Sequence, residues 1–157
     1  MTEVTLRPVV DADLDAIFEW ERDPEAVRMA AFTHEDPSDR AAFDAHMRRI
    51  RAAPGVTLRA ILVDGALAGT VSSFVIEGDT EVTYWLDRAF WGRGVATRAL
   101  AELLRQVPAR PVMARVAADN EGSRRVLEKC GFRPVGEGEG YAPGRGEVIR
   151  ELILTHP

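Results

Sequence analysis

Two turn dipeptides in the middle of the chain, Asp64-Gly65 and Gly78-Asp79, constrain the fold more than any other feature. Such pairs are favoured in two-residue hairpin loops, where the central residues must adopt left-handed backbone. They separate three β-rich runs, Thr57 to Val63, Ala66 to Ile76 and Glu81 to Leu86. Three consecutive antiparallel strands are the simplest reading. The weakly alternating Val4-Thr5-Leu6-Arg7-Pro8 adds a first strand.

The hydrophobic period changes on both sides of this block. Before it, Asp11 offers an N-cap to a run with Leu14, Ile17 and Phe18 on one face. Asp23 to Pro37 predicts a short helix and a loop. Pro37 and Ser38 then open a second helical pattern carrying Phe43, Met47 and Ile50, which stops before Pro54-Gly55. After Trp91-Gly92-Arg93-Gly94, a helix over Val95 to Val107 spaces Val95, Ala99, Leu103 and Val107 for burial, and Pro108 and Pro111 end it. Val112 to Ala117 reads as a strand and Asp119 to Lys129 as a helix with Gly131 as its C-terminal glycine. Arg133 to Glu137 and Glu147 to Thr155 read as two last strands around a Gly-rich loop. No repeat or linker interrupts the chain. Residues 1–157 are therefore expected to form one α+β domain, antiparallel first, with a strand–helix–strand–helix passage later.

Composition narrows the functional classes. A chain of 157 residues buries roughly 70% of its unfolded surface, so its core needs neither metal nor disulfide. A net charge of −5 argues against broad nucleic-acid binding. The single Cys130 has no internal partner and reads as packing. Met1 to Arg7 lacks the basic-then-apolar pattern of a secretion signal. The most promising uncharged apolar stretch, Gly65 to Ile76, has 12 residues, against about 20 for a membrane span. A cytoplasmic protein without a membrane partner is expected. His34, His46 and His156 lack metal-ligand spacing, so no metal site is expected.

Against this acidic background, residues 88–98 and 122–133 each carry +3, leaving −11 elsewhere. Two basic segments fit either a site for a compact anion or solvated helix faces. The first adjoins Arg93-Gly94-Val95-Ala96-Thr97, where small residues meet a helix start. There the first amides lack intrahelical partners and the dipole is positive, so glycine and alanine let an anion approach the backbone. Thr97 can add a hydroxyl, and Arg93 or Arg98 a charge-assisted contact. A tight turn with close helix packing explains the same glycines. No Gly-Lys-Ser/Thr is present, which excludes an ordinary P-loop. The dinucleotide fingerprint fails too, because no acid ends the strand near residue 114.

One βα unit later comes Asn120-x-x-Ser123-x-x-x-Leu127-x-x-x-Gly131-Phe132. With Trp91-Gly92-x-Gly94-x-Ala96-Thr97, and Tyr84-Trp85-Leu86 ahead of it, residues 80–133 resemble the GCN5-related N-acetyltransferase (GNAT) superfamily. The wording is most similar to its ribosomal-protein N-terminal alanine/serine acetyltransferase branch. Trp91 stands where many relatives have Gln or Arg, as is usual in this branch. Leu127 holds the position of a frequent tyrosine acid, and Arg115 that of a frequent strand glutamate.

The resemblance implies a GNAT-like mixed, mostly antiparallel central sheet of about seven strands, splayed between strands 4 and 5 and flanked by about four helices. It implies acetyl-CoA as cosubstrate and an amine acceptor, either a peptide N-terminus or a small molecule. Its cofactor-binding residues would be Trp85, Leu86, Gly92, Arg93, Gly94, Val95, Ala96, Thr97, Arg98, Asn120, Ser123 and Arg124, with Arg125 an alternative to Arg124. Pantetheine would run beside Trp85 and Leu86 and bond Asn120, and a backbone N–H near Leu86 would hold the oxyanion. An amine attacks a thioester directly, so alignment, a base and an acid suffice. Glu81 is the candidate base, or an exposed strand-end charge. Ser123 and Tyr141 are candidate acids, with Tyr141 and Glu139 placed in the Gly-rich loop. A non-catalytic acyl-CoA or CoA-binding sensor is the alternative, and a homodimer stays open. Trp20, Phe32 and Phe43 read as core or as the floor of an acceptor pocket.

Overall fold

The structure is a computed structural model that describes residues 2–157. Its strands are β1 (Val4–Pro8), β2 (Thr57–Val63), β3 (Ala66–Ile76), β4 (Asp79–Leu86), β5 (Val112–Ala117), β6 (Arg133–Ala142) and β7 (Glu147–His156). Its α-helices are α1 (Leu14–Glu21), α2 (Pro24–Ala30), α3 (Arg40–Ala52), α4 (Val95–Gln106) and α5 (Glu121–Lys129). One seven-stranded sheet runs β1-β2-β3-β4-β5-β7-β6. The architecture is the expected α+β, with five α-helices among the described residues rather than about four. The short helix expected between Asp23 and Pro37 is α2, which Asp23 caps through Glu25 N ahead of Pro24 at the first helical position.

All strand pairs are antiparallel except β4–β5, which is parallel and joins only Thr80 to Val112 and Glu81 to Met113. From Val82 onward the two strands diverge, so the sheet opens at its centre. Strand pleating divides the side chains by parity. Val82, Tyr84, Leu86, Ala114, Val116 and Leu154 face α4 and α5 in the larger core. Glu81, Thr83, Trp85, Arg115 and Glu151 share the opposite face, where α1 and α3 pack Ile17, Phe18, Phe43 and Met47 around Ala60.

Several local expectations shift. The second hairpin turn is Glu77-Gly78, both at positive φ, with Ile76 paired to Asp79. The glycine occupies the second central position, as in Asp64-Gly65, so the turn lies one residue earlier than the sequence suggested. Asp11 begins a short 3-10 turn instead of capping α1. The buried Asp13 accepts Val10 N at 2.9 Å and holds Arg7 through both guanidinium nitrogens at 2.7 and 2.9 Å. The Gly-rich loop is strand: β6 continues to Ala142, with Gly136, Gly138 and Gly140 paired to Ile153, Glu151 and Ile149. Alternating glycines put every side-chain-free position on one face, where Ile149 of β7 packs with Ala31, Ala117 and Ala142.

Candidate active site

The opening between β4 and β5 widens into a cleft of about 730 Å³ lined from both strands, α2, α4 and α5. Its wall on the β4 side is free backbone. Asp87 N donates to Ala68 O on the β3 side. By strand alternation the amide of Leu86, one residue earlier, points away from β3 and into the opening. The Leu86 carbonyl accepts Trp91 Nε1 at 3.2 Å, which fixes the end of the strand. Gly69 makes this possible, because any Cβ there would overlap the Trp85 carbonyl oxygen and the Leu86 side chain.

At the end of the cleft α4 begins. Gly94 is its N-cap in left-handed conformation, φ +74°, and no side chain caps the helix. The amides of Val95, Ala96 and Thr97 therefore keep their donor capacity. Gly92 also has φ +74°, and open space surrounds the Cα of both glycines. Gly92, Gly94, Val95, Ala96 and Thr97 all line the cleft, as do Trp85 and Leu86. Arg93 stacks its guanidinium over the Phe90 ring at 5.1 Å. Arg98 lies elsewhere: it is exposed and donates to Thr2 O at 2.9 Å, because a residue one turn into α4 points along the helix flank toward β1.

The α5 wall follows the expectation in part. Asn120 lines the cleft, but its side chain is committed. Oδ1 accepts Ser123 N at 3.2 Å as the helix cap, and Nδ2 donates to Met29 O at 3.2 Å. Arg124 is turned away toward Glu128, and Arg125 and Lys129 are the α5 cations that line the cleft. Ser123 Oγ accepts the Tyr84 hydroxyl at 2.8 Å across the opening. Burial pushes the Tyr84 phenol up to about 12, against the lowering effect of this bond. Sequence reasoning used Tyr84 only as motif context; its even-numbered phase on β4, shared with Leu86, is the signal that would have placed it opposite α5.

On the other face, Glu81 is buried and does not line the cleft. Its carboxylate meets Arg115 Nε at 3.4 Å, and Arg115 Nη1 meets Glu151 at 3.3 Å. Arg115 and Glu151 do line the cleft. One guanidinium shared between two carboxylates leaves a formal charge of −1 there. Glu151 was missed because only the insertion of β7 beside β5 brings it to Arg115, 36 residues away in sequence. Tyr141 is 59% exposed on β6, paired with Val148, and does not reach the cleft. Its expected loop is a strand whose pleat turns it away from the glycine face. Glu139 shares that strand phase and pairs with Arg150. Phe32 lines the cleft, Phe43 is core, and Trp20 is half-buried with its carbonyl accepting Trp85 Nε1 at 3.2 Å.

Among the described residues no group of three or more His, Cys, Asp or Glu is placed to hold a metal ion, and no helix is long and apolar enough to cross a membrane. Comparison with known proteins gives a match over residues 3–133 to the family described as acetyltransferase (GNAT) domain. No curated protein matches the sequence. Among solved structures, the chain is similar to a GNAT superfamily phosphinothricin acetyltransferase from Sinorhizobium meliloti in complex with acetyl-CoA. That pair shares 23% identity with a TM-score of 0.82, over 98% of this chain and 88% of the other. It is also similar to Mycobacterium smegmatis RimJ in complex with CoA-disulfide, at 24% identity and TM-score 0.80, over 97% and 80% of the two chains. A third is RimL, a ribosomal L7/L12 alpha-N-protein acetyltransferase in complex with coenzyme A, at 18% identity and TM-score 0.78, over 96% and 92%. At these identities the likeness establishes the fold.

Proposed function

The chain belongs to the GNAT acetyltransferase family, and on that premise we propose that residues 1–157 form one N-acetyltransferase domain. It transfers the acetyl group of acetyl-CoA to a primary amine by direct attack in a ternary complex. The observation that carries this reading is the opened sheet, with the Leu86 amide aimed into a cleft that ends on the uncapped N-terminus of α4. The complexes of the related structures with acetyl-CoA or coenzyme A support the choice of donor.

The residues present fit that donor. A pyrophosphate is matched by the amides of Val95, Ala96 and Thr97 at the positive end of α4, with Gly92 and Gly94 leaving room for it. The free edge of β4 offers backbone partners to an extended pantetheine arm, as an added strand would use them. Arg125 and Lys129 supply positive charge along α5. The Leu86 amide stabilises the oxyanion of the tetrahedral intermediate. The acceptor approaches on the face of Thr83, Trp85, Arg115 and Glu151.

Proton traffic follows from the two faces. The attacking nitrogen must lose a proton, and the Glu81–Arg115–Glu151 group takes it, with Glu151 the carboxylate that reaches the cleft and Glu81 buried behind Arg115. The sulfur leaving group must gain one, and Tyr84 supplies it through Ser123: the Ser123 hydroxyl gives its proton to sulfur while its Oγ takes the phenol proton from Tyr84. The net −1 of the carboxylate group favours cationic acceptors over anionic ones.

Thermal unfolding with acetyl-CoA, coenzyme A, ATP and NAD in parallel, on the natural chain and on Gly94→Glu, tests the donor. A ligand at about 100 times its Kd adds about 2.7 kcal/mol, a rise of roughly 5–10 °C for a domain of this size. Acetyl-CoA is expected to give it and the glutamate variant to lose it. A larger rise with ATP or NAD overturns the reading. Acetyl-CoA binding with no transfer to any amine would favour the sensor over the enzyme.

A further inference from the structure

Beside the cleft, on the same sheet face, lies a second cavity of about 120 Å³ roofed by α1 and α3 over β3 and β4. Thr83 and Trp85 belong to both, so the two spaces share a wall. Glu21, the last residue of α1, lines the small cavity together with Thr70, Ser72, Thr83 and His46. Register explains the convergence: Trp85 pairs with Thr70 and Thr83 with Ser72, so these side chains stand on one face.

Glu21, Thr70, Ser72 and Thr83 are unusual here in having no side-chain partners among the described residues. Among the described residues no hydrogen bond or ion pair reaches the Glu21 carboxylate, and none engages the hydroxyls of Thr70, Ser72 or Thr83. The nearby cations are committed elsewhere. Arg22 pairs with Glu19, Arg40 with Asp15 and Asp44, and Arg49 donates to His46 Nδ1. Glu21 also sits at the negative end of the α1 dipole, which adds to the demand for positive charge. Burial lifts its pKa from 4.5 to about 7. An indole side chain, three free hydroxyls and an unpaired carboxylate together make a receptor for an ammonium group.

We propose that this cavity is a subsite for a second cationic group of the acceptor. The preferred acceptors are then primary amines carrying another ammonium one to two strand spacings away, roughly 5–10 Å. This rests on the transferase reading above. A cavity of this size holds the end of an aminoalkyl chain, and Thr83 and Trp85, which line both spaces, set it directly beside the cleft.

Acetylation of 1,5-diaminopentane and of n-pentylamine at pH 8 compares two acceptors of nearly equal length that differ in the second charge. The natural chain is expected to prefer the diamine by about tenfold or more in kcat/KM, the scale of one charge-assisted hydrogen bond, with the difference in KM. Glu21→Gln is expected to bring the diamine to the level of the monoamine and leave the monoamine within about twofold. Equal use of both amines by the natural chain overturns the subsite. So does a Glu21→Gln loss common to both, or a loss confined to kcat. The diamine alone, without acetyl-CoA, is also expected to raise Tm of the natural chain and not of Glu21→Gln; an equal response of the two overturns the subsite. If acetyl-CoA raises no Tm and neither amine is acetylated, the transferase reading has failed, and this binding comparison still decides the cavity.

Discussion

Glu21 gives the sharpest test of the physical account, because its effect on stability has a sign and a pH window. The carboxylate is half-buried without a partner, and desolvation raises its pKa from 4.5 to about 7. A group whose pKa rises on folding favours the folded state most below its unfolded value, and that contribution is lost as pH climbs through the folded one. Between pH 4.5 and about 7 the unfolded chain releases this proton while the folded chain retains it. At about 1.4 kcal/mol per pH unit, the accumulated penalty above pH 7 has a ceiling of about 3 kcal/mol. Glu21→Gln keeps the shape and removes the titration. The variant is therefore expected to gain on the natural chain as pH rises from 5 to 8, by up to about 3 kcal/mol, or roughly 6–12 °C in Tm at this chain length. Above pH 8 the gap should stay flat. Thermal or urea unfolding of both proteins across that range, without ligand, measures it. A gap that does not change with pH, or one that shrinks, would refute the claim that Glu21 is an unpaired, partly desolvated carboxyl.

Three further outcomes follow from particular contacts. Tyr84→Phe removes the hydroxyl that meets Ser123, and should lower kcat by about 10²-fold with little change in KM for acetyl-CoA; unchanged turnover in a thiol-release assay would remove Tyr84 as the acid. Asp13→Ala breaks the ion pair with Arg7 and frees Val10 N, at an expected cost of about 2–3 kcal/mol. Hydrogen bonding to Arg7 holds the Asp13 carboxyl below its ordinary 3.8. Its contribution is present above pH 3.8 and fades as pH falls through the lowered value, so natural chain and variant should converge in acid denaturation. Gly69→Ala drives a Cβ into the Trp85 carbonyl and Leu86, and should cost about 1–3 kcal/mol while also weakening the acetyl-CoA thermal shift; an unchanged shift would mean that the end of β4 does not position the donor.

Much of the fold was legible because local chemistry acts over a few residues. Asp64-Gly65 set the β2–β3 hairpin at the expected residues, β5 runs over the expected Val112–Ala117, and Gly94 stands at the start of α4 in left-handed backbone. The cleft residues from Trp85 to Thr97 lie close in sequence, so motif and helix start together located that half of the site. Where local rules misled, a competing local preference was at work. Low strand propensity hid the part of β6 beyond Glu137, where Gly138 and Gly140 continue the alternation begun at Gly136, although a period of two is that of a strand. Pairing with β7 outweighs that propensity.

The acceptor half was decided by tertiary structure. Arg115 meets Glu151 only because β7 inserts between β5 and β6, and Tyr84 meets Ser123 only because the sheet opens after Glu81. Glu21 shares a cavity with Thr70, Ser72 and Thr83 because α1 is laid across strands some fifty to sixty residues distant. None of these groups carries a spacing signal, since each contact depends on sheet order and on which face a strand's parity presents. Sequence determined where the backbone turns and where an anion can approach a helix end. The order of the strands determined which charges stand together, and with them what the cleft can accept.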